Sequence, residues 1–262
     1  MFKDCQGVPY PVFAKGVVSE CAPVVGAVPF GSVYSLKVLL EAGSQEPAAG
    51  QFYMLHAVRS DVLLGRPISV YHSEVLSEED GRRIELTFLI LLKGKGTKEL
   101  CSLDFGDIVN LIGPCGNRFP VVEPVETTAA HSKYLIIGGG IGVAPVAGFA
   151  ETLPDVSYDF YASFKSGSYG LENLKANKLV ITTDDGSVGV HGMLPAALTE
   201  DVLREGNYEA VYACGPTPML AYIQKICQAV GVKCWLSMEA HMACGVGVCL
   251  GCVIDMQNPQ SQ

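Results

Sequence analysis

Short apolar runs broken by Gly-rich turns fill the first part of the chain. Residues 33–40, 51–58 and 84–92 read as strands; the last is a run of β-branched, aromatic and leucine residues bounded by polar ones. Several such runs up to about residue 126 predict a small antiparallel β barrel. A polar stretch at 123–132 reads as a linker. Beyond it the pattern changes. A short buried strand is predicted from Lys133 to Ile137, followed by a helix at 141–153, strands at 157–163 and 179–183, a helix at 194–203, a strand at 210–213 and a helix at 218–230. Strands that alternate with helices imply a parallel sheet covered by helices. From Lys233 a third segment carries a cysteine loop. The expected division is therefore 1–126, 133–232 and 233–262, with no internal repeat and no low-complexity tract.

The composition narrows the function classes. With 262 residues, 49% hydrophobic and 17% charged, the chain suits a globular protein of two ordinary domains and a small appendage. A formal charge of −9 argues against sequence-independent nucleic-acid binding, which depends on Lys and Arg. Residues 1–13 contain no apolar h-region, so no secretory signal is expected. The strongly apolar stretch 86–92 is too short to span a bilayer. Ten cysteines could form a disulfide framework in a small secreted protein. In a chain this long, without a signal, they are expected as reduced thiols in the cytoplasm.

The cysteine loop carries the most specific chemistry. Cys244, Cys249 and Cys252 have the Cys-x4-Cys-x2-Cys spacing that opens a plant-type [2Fe–2S] ligand set. Gly245, Gly247 and Gly251 let the loop close over such a cluster and aim backbone N–H groups at sulfur. No cysteine follows Cys252. Three explanations stand: a chain cut short, a ligand from elsewhere, or no cluster; the first is the expectation. A zinc site would want a second cysteine pair, and three structural thiols remain an alternative. Adjacent His241 reads as a surface residue.

Four further motifs point to nucleotides. Gly138-Gly139-Gly140-Ile141-Gly142 follows a predicted strand and opens a helix, where backbone N–H groups can face a pyrophosphate. It departs from G-x-G-x-x-G because Ala144 and Pro145 follow; an unliganded tight turn is the competing reading. Arg66-Pro67-Ile68-Ser69 offers a cation and a hydroxyl for a phosphate or flavin edge, or is a surface arginine before an edge strand. Gly94-Lys95-Gly96-Thr97 could cradle phosphate or be an ordinary turn. Cys214-Gly215-Pro216 ends a predicted strand where open α/β sheets bind ligands. With no His partner by spacing, Cys214 reads as a soft pocket-lining side chain. Cys5, Cys21, Cys101, Cys115, Cys227 and Cys234 lack ligand spacing and read as packing residues.

The order of these motifs resembles the ferredoxin–NADP reductase superfamily. More narrowly it resembles the electron-transfer subunits of class 1B, NAD-dependent dihydroorotate dehydrogenase. Trp235-Leu236-Ser237-Met238-Glu239, running into Met242-Ala243-Cys244-Gly245, is close to that family's cluster entry. Gly50-Gln51-Phe52, Gly106-Asp107 and Gly113-Pro114 fit its flavin domain. The resemblance implies an N-terminal FAD-binding barrel, an NAD-binding α/β domain and a small, truncated C-terminal [2Fe–2S] domain. By motif match Arg66, Pro67, Ile68, Ser69, Gly96 and Thr97 would hold FAD, and Leu89, Ile90 and Leu91 would touch it through backbone. Gly138, Gly139, Gly140, Ile141 and Gly142 would receive NAD, with Cys214, Gly215 and Pro216 near the nicotinamide. Cys244, Cys249 and Cys252 would be three cluster ligands.

The family implies an oxidoreductase subunit of pyrimidine biosynthesis. Its partner would be an FMN-containing dihydroorotate dehydrogenase catalytic subunit, in a heterotetramer of two of each. NAD is expected over NADP, because residues 164–171 carry one basic residue, Lys165, and no arginine. The chain departs from the family at Cys115-Gly116-Asn117-Arg118-Phe119, where Leu-Gly and then Gly-Phe are usual. Rival readings are an electron-transfer subunit of a ferredoxin-dependent oxidoreductase or a hydrogenase, and a nucleotide-binding regulator without a cluster.

Overall fold

The structure, a computed structural model, describes residues 11–58, 60–78, 81–120 and 134–254. The expected linker at 123–132, Cys5 and the stretch after Ile254 lie outside the described residues. Six strands form the first layer: β1 (Val12–Pro23), β2 (Val33–Leu40), β3 (Phe52–Ala57), β4 (Arg66–Glu78), β5 (Gly81–Leu91) and β6 (Ile108–Cys115). They close as an antiparallel barrel in the order β1-β2-β5-β4-β3-β6, with the short helix α1 (Lys95–Leu100) between β5 and β6. Alternate residues such as Leu36, Val38, Leu86, Phe88, Ile90, Val109 and Leu111 fill its interior.

The second layer is a parallel sheet. Its elements are β7 (Tyr134–Gly139), α2 (Val143–Ala150), β8 (Tyr158–Phe164), β9 (Lys178–Thr183), β10 (Val190–His191), α3 (Glu200–Gly206), β11 (Ala210–Cys214), α4 (Thr217–Val230) and β12 (Lys233–Ser237). The strands run β10-β9-β8-β7-β11-β12 and every pair is parallel. Chain order reverses between β7 and β11, the crevice where such sheets bind ligands.

Three elements differ from the sequence expectation. The helix expected at 194–203 is two pieces, a 3-10 turn Leu194–Ala196 and then α3. The turn closes at Ala197, and Thr199, in extended backbone, caps the second piece: its hydroxyl accepts from Val202 N at 3.3 Å. The helix expected at 141–153 is a 3-10 turn Gly140–Gly142 followed by α2. Residues 233–237, expected with the cysteine loop, form β12 and pair with β11.

Barrel and sheet share one core. Tyr71, Leu89 and Phe119 from the barrel side pack in a single cluster with Val143, Ala147, Phe149 and Tyr212. Tyr212 donates to Pro120 O at 2.7 Å, and Phe119, Phe149 and Tyr212 stack edge-on or tilted. Helix α2 lies so close to β4 that a Cβ on Gly148 would stand 2.4 Å from Tyr71 O. A bridge between Ala27 and Gly167, with Ser168 N donating to Gly26 O at 3.1 Å, straps the β1–β2 loop to the sheet. No helix among the described residues is long and apolar enough to cross a membrane.

Candidate functional site

A cleft of about 770 Å³ lies between barrel and sheet, within the roughly 300–1,000 Å³ usual for cofactor pockets. Three groups of residues line it. Pro67, Ile68, Ser69, Leu89, Leu91 and Thr97 come from the barrel. Ile141, Gly142, Ala144, Pro145 and Cys214 come from the crevice between β7 and β11. Trp235, Ser237, Met238, Glu239 and Met242 come from the end of β12 and the segment leading into the cysteine loop.

On the barrel side, strand alternation sorts the expected contacts. Leu89 and Leu91 face the cleft, whereas Ile90 is fully buried in the barrel core, so only its backbone can reach a ligand. The Arg66 guanidinium lies beside the chain, its Nε donating to Gly65 O at 3.1 Å and its Nη2 to Leu64 O at 2.8 Å. Its stem covers Gly96, where a Cβ would meet Arg66 Cδ at 3.1 Å. Thr97 Oγ1 accepts from Lys93 N and Gly94 N, both at 3.0 Å, which closes the turn that starts α1. Lys93 and Arg118 add cationic side chains to the lining, and neither was singled out from sequence.

On the sheet side, the glycine loop is a close-packed corner. A Cβ on Gly142 would come 2.6 Å from Cys214 O, so a side chain there would push the ends of β7 and β11 apart. Gly140 takes φ +53 and has open space where its Cβ would be. Gly138 and Gly139 end β7, while Gly215 abuts the Gly139 backbone. Pro216 caps α4 and is exposed. Cys214 is 3% exposed, and burial pushes its thiol up to about 12 despite a hydrogen bond with Ser237. It is a neutral thiol in the wall, consistent with pocket lining rather than nucleophilic attack.

The cysteine loop is built around Cys244. Backbone N–H groups of Cys249, Val246 and Val248, with the Cys249 thiol, converge on its sulfur and hold it down to about 6. A loop that stabilises a thiolate in this way suits an iron ligand. Cys249 is brought to Cys244; Cys252 is half-buried nearby in sequence. Among the described residues no three His, Cys, Asp or Glu side chains converge on one point, so Cys252 does not join that pair.

Part of the lining owes its place to tertiary pairing alone. Phe52 and Gly116 to Pro120 line the cleft because β3 and β6 end side by side. Residues 235–239, the stretch that resembles the family's cluster entry, reach the cleft because β12 pairs with β11.

The chain matches known proteins along its length. Residues 239–262 match the model of the iron-sulfur cluster binding domain of dihydroorotate dehydrogenase B. Over 222 residues the chain is 36% identical to the dihydroorotate dehydrogenase B (NAD(+)) electron transfer subunit of Clostridium acetobutylicum, covering 84% of this chain and 81% of that one. The subunit of the same name from Caldanaerobacter subterraneus is 33% identical over 82% of this chain and 80% of its own. Among solved structures, an NADH-dependent reduced ferredoxin-NADP oxidoreductase superposes with a TM-score of 0.65 at 20% identity, over 94% of this chain and 82% of that one. The ferredoxin reductase of carbazole 1,9a-dioxygenase gives 0.63 at 20% identity, over 88% and 70%. The last two show a shared fold.

Proposed function

The chain belongs to the dihydroorotate dehydrogenase B electron transfer subunits, and we propose that it carries electrons between a dihydroorotate-oxidising catalytic partner and NAD+. The observation that carries the reading is the single cleft whose walls come from the Arg-Pro-x-Ser strand, the glycine corner with Cys214, and the approach to the cysteine loop. A flavin lying there has a nicotinamide site on one side and a cluster site on the other.

The residues fit the cofactors. FAD belongs in the cleft, with Ser69 and Thr97 hydroxyls and the Arg66, Pro67 and Ile68 strand at its edge, the Leu89–Leu91 strand along it and Gly96 beside it. NAD belongs at Gly138, Gly139, Gly140, Ile141 and Gly142, with Cys214, Gly215 and Pro216 at its nicotinamide end. Cys244, Cys249 and Cys252 supply three ligands of a [2Fe–2S] cluster. When bound, the flavin supplies the exchange between two-electron nicotinamide chemistry and one-electron cluster chemistry.

The chain's own part is placement. Leu89, Leu91, Ile141 and Trp235 make the cleft apolar and exclude water. Neutral Cys214 gives the nicotinamide a soft, uncharged neighbour. Hydride transfer needs no acid–base pair. The division proposed is a flavin barrel at 1–126, a nucleotide sheet at 133–232 and a cluster segment at 233–262 that contributes its first strand, β12, to the sheet. The partner proposed is an FMN-containing catalytic subunit, two of each in a heterotetramer, acting in pyrimidine biosynthesis. A cytoplasmic setting is proposed with it.

Anaerobic titration of the purified yellow protein with NADH tests the core of this reading. Stoichiometric bleaching of the flavin band is expected. A protein that carries no flavin, or a flavin that NADH leaves oxidised, contradicts it.

A further inference from the structure

The cysteine loop rests on two sulfur-bearing side chains of the barrel. Gly245, next to Cys244, takes φ +73, and a Cβ there would stand 2.4 Å from Met54 Cγ, 2.9 Å from Met54 Sδ and 3.7 Å from Cys115 Sγ. Met54 is 3% exposed and Cys115 is fully buried. Neither belongs to any of the three hydrophobic core clusters, although Tyr53 and Leu55 on either side of Met54 do. Strand alternation puts Met54 on the outer face of the barrel, and Gly245 is part of what covers it. Cys115 Sγ donates to Ile112 O at 3.3 Å, and the charge of Cys244 is one of the two causes, after burial, that push this thiol up to about 11.

The same two strands form the wall of the cleft. Phe52, which pairs with Cys115 across the β3–β6 ladder, and Gly116, next to Cys115, both line it. The ends of β3 and β6 therefore carry the proposed flavin site on one side and the cysteine loop on the other.

We propose that Met54 and Cys115 are positioning residues, an apolar seat that fixes the Cys244 end of the cluster loop against the flavin barrel and keeps water from it. The proposal rests on the cluster reading above. It predicts a steric coupling. A methyl group on Gly245 both meets Met54 and strains the backbone at φ +73; shortening Met54 relieves the first cost and not the second.

The test uses the full chain with its cluster assembled, as wild type, Gly245→Ala, Met54→Ala and the double variant. Iron, sulfide and FAD per chain are measured, together with the cluster midpoint potential by EPR-monitored titration. Gly245→Ala should lose several-fold in iron while keeping its FAD, and the double variant should regain the part of that iron lost to the clash with Met54. Met54→Ala alone should keep its cluster and show a raised potential, because more polar surroundings stabilise the more negative reduced state. A double variant no better than Gly245→Ala, or an unchanged potential in Met54→Ala, overturns the seat. If the wild type holds no iron, it is the cluster reading that fails, and the seat is then decided by alkylation of Cys115. Protection in wild type with exposure in Gly245→Ala supports it, and equal labelling of the two overturns it.

Discussion

His72 and Glu151 tie the barrel to the sheet: His72 Nδ1 on β4 stands 2.5 Å from Glu151 Oε2, one residue beyond α2. The hydrogen bond to Glu151 is the largest cause raising the His72 pKa above its ordinary 6.5, and partial burial only partly opposes it. A histidine whose folded pKa is raised contributes stability that is full below the unfolded pKa and is lost as pH rises through the folded one. Thermal unfolding of wild type should therefore show a stability loss as pH rises from about 6.5 through the raised folded pKa, a loss that His72→Gln lacks. The side chain is 38% exposed, so solvent screening keeps the difference within about 1 kcal/mol. Parallel pH profiles for the two proteins would contradict the assignment.

Gly148→Ala should destabilise, against helix propensity. On an open helix face the change gains up to about 1 kcal/mol. Here the new Cβ meets Tyr71 O, a backbone atom held in β4, at 2.4 Å. A loss of about 1–3 kcal/mol is expected from denaturant unfolding, as for other overpacked sites. A stabilised variant would mean that α2 does not sit on the barrel as described.

Arg66→Ala should weaken FAD retention. Loss of one charge-assisted phosphate contact corresponds to about 1.5–3 kcal/mol in binding. The flavin-to-protein absorbance ratio after dilution and gel filtration reads it. Undiminished flavin occupancy would remove Arg66 from the site.

NADH should reduce the flavin much faster than NADPH at equal concentration. Lys165 is the one basic residue in 164–171, and Asp184 and Asp185 follow β9 on the same edge of the sheet. Hydrogen bonds from Ser166 and Ser187 hold the Asp185 carboxyl down to about 2, so it is charged at any working pH. A 2′-phosphate would meet that charge. Stopped-flow rates for the two nucleotides that coincide would count against the preference.

The legible parts of the fold are those where the local pattern and the tertiary outcome agree. β2 and β5 stand out as apolar runs between polar turns, and β7 as a buried strand before glycines. β1 and β6 do not, because their outer faces are apolar as well: Val12, Phe13, Val17, Ile108 and Ile112 are all more than a third exposed, which blurs alternation. The break before α3 is hidden because the 3-10 turn closes at Ala197 and Thr199 caps the next helix only two residues later. At the site, Arg66 to Ser69, the glycine corner and the cysteines declare themselves by residue type. Ile90 illustrates the opposite case: it lies within a correct motif, yet its side chain belongs to the barrel core. Met54 carries no local signal, since only the pairing of β3 with β6 brings it to the loop; Phe52 and Trp235 sit in family-like stretches, yet only the pairing of β3 with β6 and of β11 with β12 sets them at the cleft.

Reconstitution tests the electron-transfer role most directly. The chain loaded with FAD and iron is mixed with its catalytic partner, dihydroorotate and NAD+ in the absence of oxygen, and NADH formation is followed. NADH should accumulate only when both proteins are present. NADH formed at the same rate by the partner alone, or no NADH from the fully loaded pair, would contradict the role.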